Sequence, residues 1–148
     1  MRVIAGKNKS IGVFNGDLII FACNTASSEA LRKIQQEYLP KKYPNKRVLG
    51  VLIPAVEEAS LKTKNNKVGV MATSATVHSE AFPDEFKKIN QKIKVFEVAC
   101  PLLVPIVESG EVNSPTTLVI IKKYLTPLIN KNIDTLVLGC THYGILEQ

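Results

Sequence analysis

The sequence lacks the features of membrane, secreted and disulfide-bonded proteins. Its 148 residues contain no apolar run approaching the roughly 20 residues that cross a bilayer. The start leads into the polar stretch 6–10 rather than an apolar signal-peptide core. The three cysteines, Cys23, Cys100 and Cys140, are widely spaced without a CxxC pair, which argues against a disulfide framework and a zinc knuckle. We therefore predict a cytoplasmic protein with free thiols and no membrane partner.

Arginine and aromatic clusters are also scarce. The formal net charge is +6, and it comes mostly from lysines scattered in pairs such as Lys41-Lys42. Nucleic-acid-binding surfaces usually concentrate their basic side chains and add arginine or aromatic platforms. The lysines therefore predict a solvated surface and no nucleic-acid partner, although their charge can attract an anionic small molecule.

The apolar residues follow a regular alternation. With 45% hydrophobic and 22% charged residues, the composition is that of one globular domain or two small lobes. Short continuous apolar runs predict strands buried on both faces at 18–23, 48–53, 68–72, 95–99 and 136–139. Longer amphipathic segments predict helices at 26–39, 54–64 and 115–130. This order predicts an α/β fold with parallel strands and right-handed crossovers.

Two breaks interrupt the alternation. Pro83 predicts that the segment after Ser74 divides into a helix and a further turn or helix before the fourth strand. The polar stretch 62–67 predicts a boundary between two lobes, residues 1–64 and residues 65–148.

Cys23 and Cys140 both follow predicted strands, at the position where ligands bind in parallel α/β sheets. A helix that begins near Thr25 directs its N–H groups and the positive end of its dipole toward this position. Such a helix end favours a thiolate or a substrate carboxylate. His142 can exchange a proton with Cys140 or bind a neighbouring group. Side-chain donors flank both cysteines: Asn24, Thr25, Thr141 and His142.

Each of these residues also has a structural alternative. A single cysteine at the end of a buried strand is usually a small core residue, and only the polar flanks of Cys23 and Cys140 favour a functional role. Cys100 lacks such a flank and is predicted to lie in the core or behind the site. His78 is predicted to be structural or exposed. Zinc binding by Cys23, Cys140 and His142 is disfavoured because three ligands without local spacing do not form a zinc motif, so we predict no metal site.

Four motifs resemble those of bacterial glutamate racemase, a cofactor-independent member of the aspartate/glutamate racemase superfamily. They are ACNTAS at 22–27, VGVMATSAT at 68–76, CPLLVPIVESG at 100–110 and LGCTHY at 138–143. Their order and spacing are similar to the family pattern from about Leu18 onward. The resemblance implies three-layer α/β lobes of the superfamily type, with the second lobe nearly complete and the first lobe partial.

The resemblance also implies a two-base proton transfer. One cysteine thiolate removes the α-proton of glutamate while the other thiol delivers a proton to the opposite face, without pyridoxal phosphate or any other cofactor. By the family pattern Cys23 serves the D-enantiomer and Cys140 the L-enantiomer, and Glu108 and His142 assist Cys140. The product D-glutamate would enter peptidoglycan synthesis, and the protein would form a homo-oligomer. Substrate contacts are implied for Asn24, Thr25, Thr73, Thr76 and Thr141.

The start of the chain departs from the family pattern. The family opens with an FDSGxGG-like turn whose aspartate assists the first cysteine, whereas IGVFNGD at 11–17 has Asn15 at that place. AGKNKS at 5–10 can equally correspond to a later PYG segment that binds substrate in the family. A partial first lobe favours an alternative function, an inactive or weakly active racemase-like fragment that binds an acidic amino acid or a partner chain.

Overall fold

The computed structural model describes residues 17–146. The segments at 5–10 and 11–16, including Asn15, lie outside the described residues. Among residues 17–146, no helix is long and apolar enough to span a bilayer. In chain order the elements are β1 (Leu18–Phe21), α1 (Asn24–Lys33), a π-helical segment (Ile34–Tyr38), α2 (Leu39–Lys42), β2 (Arg47–Gly50), α3 (Leu52–Lys62), β3 (Lys67–Ala72), α4 (Ser74–His78), α5 (Ala81–Ile89), β4 (Lys94–Ala99), α6 (Leu103–Glu108), α7 (Pro115–Ile129), β5 (Thr135–Gly139) and a 3-10 turn (Tyr143–Leu146).

The strands form two parallel sheets. β1 pairs with β2, and β3 lies between β4 and β5 in a three-stranded sheet. Each of the five predicted runs contains a strand, although β2 ends at Gly50 and residues 52–53, predicted as strand, begin α3. Helices connect the parallel strands within each sheet, so the predicted α/β fold is confirmed.

The three-stranded sheet is covered by helices on both faces. Val68 and Val70 of β3 pack with α3 and α5 on one face, in a core that includes Val56 and Phe86. On the other face, Met71 packs with α6, α7 and the carboxyl-terminal turn. This alternation along β3 produces the three layers that the family resemblance implies.

The two-stranded sheet is covered on one face within residues 17–146. Val48 packs with Leu31 on that face, and a Cβ on Gly50 would lie 2.6 Å from Ser27 Oγ, so only glycine allows α1 to approach this closely. The opposite face leaves Leu49 52% exposed. The prediction that every strand is buried on both faces is therefore wrong for β1 and β2, since helices of the described chain cover only one side of them.

Two helix predictions need correction. The segment predicted as one helix at 26–39 continues to residue 42 and passes through a π-helical turn, in which Leu39 N–H donates to the Ile34 carbonyl. Pro40 has no N–H for an ordinary helical bond, which explains the change of register. The break predicted at Pro83 lies instead at Glu80, whose left-handed backbone (φ 54°) separates α4 from α5, while Pro83 fits into the first turn of α5.

The lobe boundary after residue 64 stays a prediction. α3, which precedes it, contributes Leu52, Val56 and Ala59 to the core of the three-stranded sheet. Asp134, just before β5, accepts backbone hydrogen bonds from Lys64 and Asn65 at 2.8 Å each and ties the segment after α3 to the same sheet.

Candidate active site

The candidate site lies where the carboxyl ends of strands from both sheets meet. Cys23 follows β1 and is the residue before α1, whereas Thr73, Cys100 and Cys140 directly follow β3, β4 and β5. Parallel strands bring their carboxyl ends to one edge, so the fold gathers these residues as the sequence pattern predicts.

Three threonine hydroxyls join the two sheets at this edge. Thr25 Oγ1, in the first turn of α1, lies 2.9 Å from Thr73 Oγ1 and 3.2 Å from Thr76 Oγ1. Thr73 and Thr76 are 3.0 Å apart, and Thr73 caps α4 by accepting the Thr76 N–H. The hydroxyl groups form a closed triangle, and because the Thr73 oxygen also accepts the Thr76 N–H, it is the Thr25 and Thr76 oxygens that keep a lone pair for a further donor.

Cys140 lies in a protected environment and is only 8% exposed. Burial raises the pKa of its thiol and the nearby Cys23 adds to this effect, while the His142 amide and the Thr141 hydroxyl oppose it. Cys140 is therefore a thiol that the site holds largely neutral, with a charged form stabilised by local donors.

His142 connects Cys140 to a carboxylate. Its Nδ1 lies 3.8 Å from Cys140 Sγ, and its Nε2 lies 3.3 Å from Glu108 Oε1 at the end of α6. A carboxylate on one ring nitrogen orients an imidazole, so that the other nitrogen is held toward its own partner. The structure thus brings together three of the four side chains that the resemblance places in catalysis: Cys140, His142 and Glu108.

Cys23 differs from Cys140 in exposure and contacts. It is exposed, and its side chain makes no capping hydrogen bond to the first turn of α1. The N–H groups at this helix end are therefore open to an anion. Asn24 is 7% exposed, and its Oδ1 is buried without a hydrogen-bond partner in the described part of the chain. A ligand that donates a hydrogen bond would satisfy that oxygen.

Cys100 and His78 take no part in the side-chain contacts described above. Cys100 is fully buried and burial raises its pKa to about 12, as expected of a core thiol. His78 is exposed at the end of α4. Among residues 17–146, no three His, Cys, Asp or Glu side chains form a group that could hold a metal ion.

Residue-by-residue reasoning missed two members of the site region. Glu108 by itself resembles a solvated acid at a helix end, and only the family motif indicated it. Tyr143 was not selected, yet it is 1% exposed and its hydroxyl donates to the Cys100 carbonyl at 2.9 Å. Its position directly after His142, in a segment with several polar residues, was the available signal.

Comparison with known proteins identifies the family. A family model described as Asp/Glu/Hydantoin racemase matches residues 9–148. The chain belongs to the Asp/Glu/Hydantoin racemase family. This family member is 42% identical over 135 residues to a glutamate racemase of Sulfurihydrogenibium sp., a match that covers 91% of this chain and 50% of the relative.

Solved structures agree with the family membership. A glutamate racemase isoform from Bacillus anthracis aligns with a TM-score of 0.80 at 34% identity, covering 88% of this chain and 47% of that one. The enzyme from Francisella tularensis, solved in complex with D-glutamate, aligns with a TM-score of 0.78 at 36% identity and with the same coverage of both chains. This Asp/Glu/Hydantoin racemase family member thus spans about half the length of the relatives it matches.

Proposed function

We propose that this chain carries the active groups of a cofactor-independent glutamate racemase. The observation that carries the proposal is the arrangement of Cys23 and Cys140, which follow strands of two different sheets at the edge that the contact between Thr25 and Thr73 joins. Inversion at a carbon atom needs a base on one face and an acid on the other, because a single base tends to return the proton to the face it came from. Two thiols on separate elements can satisfy that requirement.

In the proposed reaction one thiolate accepts the α-proton, so that the Cα–H bond breaks and an S–H bond forms. The electron pair moves into the substrate α-carboxylate, and the second thiol then gives its proton to the opposite face of the α-carbon. Following the family pattern, Cys23 acts as the base toward D-glutamate and Cys140 toward L-glutamate. Protons and electrons balance in this reaction without pyridoxal phosphate, since each turnover only exchanges the protonation of the two thiols.

Cys140 is the thiol that needs assistance, because burial raises its pKa. His142 lies between Cys140 and Glu108 and can accept the thiol proton when Cys140 acts as the base. When Cys140 acts as the acid, the raised pKa keeps its proton in place until the substrate carbanion forms. We assign His142 and Glu108 to assisting Cys140.

The substrate would lie between the two thiols, held by hydroxyl, amide and helix-end donors. Glutamate carries two carboxylates and one ammonium. The open N–H groups of α1 suit a carboxylate, and the unpartnered Asn24 Oδ1 suits the ammonium group. The net charge of +6 favours the approach of an anion. We propose the following substrate-contacting residues: Asn24, Thr25, Thr73, Thr76 and Thr141.

The biological setting belongs to the same proposal. D-glutamate is a precursor of peptidoglycan, and its synthesis would take place in the cytoplasm by a homo-oligomer. The glutamate racemase identity of relatives at about 40% identity supports this choice over other acidic amino acids.

The test is α-proton exchange in D₂O without added cofactor. The folded protein is incubated separately with L-glutamate and D-glutamate, and deuterium at the α-carbon and the enantiomer ratio are both measured. We expect deuterium incorporation with inversion, and we expect Cys23→Ala and Cys140→Ala each to abolish inversion. Cys100→Ala is the matched control, since it removes a thiol that lies outside the proposed reacting groups, and we expect it to retain inversion.

Two results would contradict the proposal. Absence of exchange from a folded sample with both enantiomers would leave the alternative, a racemase-like fragment that binds an acidic amino acid or a partner chain. Inversion that persists in either Cys23→Ala or Cys140→Ala would show that the two thiols are not the acid and base.

A further inference from the structure

Tyr143 links the His142 turn to the helix that carries Glu108. The Tyr143 hydroxyl donates to the carbonyl oxygen of Cys100 at 2.9 Å. That carbonyl oxygen also accepts the N–H of Leu103, the first residue of α6, at 3.2 Å. The Tyr143 N–H donates to the Cys140 carbonyl and closes the turn that contains His142. One carbonyl oxygen therefore receives a bond from the turn and a bond from α6.

The Cys100 carbonyl is itself held firmly. The Cys100 N–H donates to the Ala72 carbonyl at 2.8 Å, which continues the β3 to β4 pairing beyond the end of the strands. The Tyr143 ring is 1% exposed and packs with Met71, Leu103 and Leu128. Burial raises the pKa of the phenol, so the hydroxyl keeps its proton and remains a donor at all ordinary pH values.

The contact between His142 and Glu108 is not buried as the Tyr143 contact is. The side chains are 35% and 65% exposed and lie 3.3 Å apart. Exposed pairs of this kind contribute little energy and do not hold long side chains in one arrangement. The buried bond from Tyr143 to Cys100 is the stronger constraint on the distance between the turn and α6.

We propose that Tyr143 is a positioning residue, whose hydroxyl holds the Cys140 to His142 turn against the start of α6 so that His142 contacts Cys140 Sγ and Glu108 together. The inference deepens the proposed function and rests on it for the catalytic meaning of the three side chains. The geometric coupling that it describes can be measured without turnover.

The experiment is a double-mutant cycle read by alkylation of Cys140. The rate of iodoacetamide modification of each cysteine is followed by peptide mass spectrometry as a function of pH, with and without Glu108→Gln. In the wild-type background we expect Glu108→Gln to slow Cys140 alkylation by about 2- to 10-fold, the range that corresponds to one net hydrogen bond. In the Tyr143→Phe background we expect this effect to disappear.

Two further backgrounds separate positioning from loss of stability. Tyr124→Phe removes a hydroxyl from another tyrosine packed on the same core, and Leu128→Val shortens a buried side chain of that core without touching the Tyr143 hydroxyl. Both are expected to retain the Glu108→Gln effect. Every variant is assayed below its own melting temperature, so that unfolding is not mistaken for lost coupling.

Three outcomes would overturn the inference. They are no effect of Glu108→Gln on Cys140 alkylation in the wild-type protein, an undiminished effect in Tyr143→Phe, or a loss of the effect in Leu128→Val equal to that in Tyr143→Phe. Racemisation by the same samples is measured in parallel. If the coupling behaves as expected while the wild-type protein shows no exchange with either enantiomer, the positioning role stands and the proposed function fails. If the wild-type protein racemises glutamate but the coupling survives Tyr143→Phe, only the positioning role fails.

Discussion

The hydroxyl of Thr25 lies 2.9 Å from the hydroxyl of Thr73, although 48 residues separate them in the chain. Thr25 belongs to the helix that covers the two-stranded sheet, and Thr73 directly follows the central strand of the three-stranded sheet. This contact joins the two sheets at the edge where Cys23 and Cys140 lie. The same bond thus contributes to the fold and to the shape of the candidate site.

Replacing Thr25 with valine tests this junction. Thr25→Val keeps the side-chain shape and removes both hydroxyl contacts, to Thr73 and to Thr76. We expect the free energy of unfolding to fall by about 1–2 kcal/mol, since each net hydrogen bond contributes about 1 kcal/mol. Urea denaturation measures the change. The exposed Thr126→Val is the control, because its hydroxyl bonds only within α7, and equal stability of the two variants would contradict the expectation.

A second connection between the sheets is the ion pair of Arg32 on α1 with Glu85 on α5. Arg32 Nε lies 3.0 Å from Glu85 Oε1, and Lys88 Nζ lies 2.8 Å from the same oxygen. Burial works to raise the pKa of Glu85, but the hydrogen bonds and charges of Lys88 and Arg32 outweigh it, so the pKa is lowered. The carboxylate form is therefore favoured in the folded state.

We expect Glu85→Gln to lower the free energy of unfolding at pH 7 by about 1 kcal/mol. Because the folded pKa is depressed, the stabilisation is present above the unfolded value and is lost as the pH falls through the folded value. The melting temperatures of wild type and variant should therefore converge in acid. Glu58→Gln, which removes an exposed pair with Lys62, provides the comparison, and a difference that persists below the folded pKa would count against this explanation.

The pKa of Glu97 on β4 is shifted in the opposite direction to that of Glu85. Its Oε1 is buried without a hydrogen-bond partner among the described residues, and burial followed by repulsion from Glu80 raises its pKa to about 7. A raised carboxyl pKa means that the folded state binds the proton more tightly than the unfolded state does. Stability is then lost as the pH rises from the unfolded pKa through 7.

Glu97→Gln should remove the loss of stability that occurs as the pH rises, because glutamine does not ionise. We expect the variant to be more stable than wild type at pH 8 by about 1–2 kcal/mol, after allowance for solvent screening, and to approach it at pH 4. Thermal melts across this range measure the difference. The exposed Glu57→Gln should show no such pH dependence, and a stability gain for Glu97→Gln that is the same at pH 4 and pH 8 would rule out an ionisation effect.

The three cysteines should differ in their reactivity. Cys23 is exposed, Cys140 is 8% exposed with a raised pKa, and Cys100 is fully buried with a pKa raised to about 12. Since the thiolate is the nucleophile, we expect alkylation in the order Cys23, Cys140, Cys100. The rate at Cys140 should continue to rise above pH 9, and a plateau at Cys140 below pH 8 would be inconsistent with its environment.

Sequence patterns predicted the strands better than the helix breaks. Continuous apolar runs located all five strands, whereas the break assigned to Pro83 lies at Glu80. Proline fits the first turn of a helix, so its presence did not decide where α5 begins. Burial was also misjudged for Leu49, because a strand's apolar content does not reveal how many helix layers cover it.

In the candidate site, too, the sequence predicted some residues and missed others. Cys23 and Cys140 could be assigned from the chain alone, because a residue that follows a parallel strand lies at the carboxyl edge of its sheet, a consequence of local order. Glu108 required a family motif, and Tyr143 required the fold. Contacts such as Tyr143 with Cys100 and Thr25 with Thr73 join segments distant in the chain, so they depend on how helices pack across the sheets. The local pattern of apolar residues therefore predicts the strands and helices and the sheet edge at which ligands can bind. Tertiary packing decides which side chains meet at that edge.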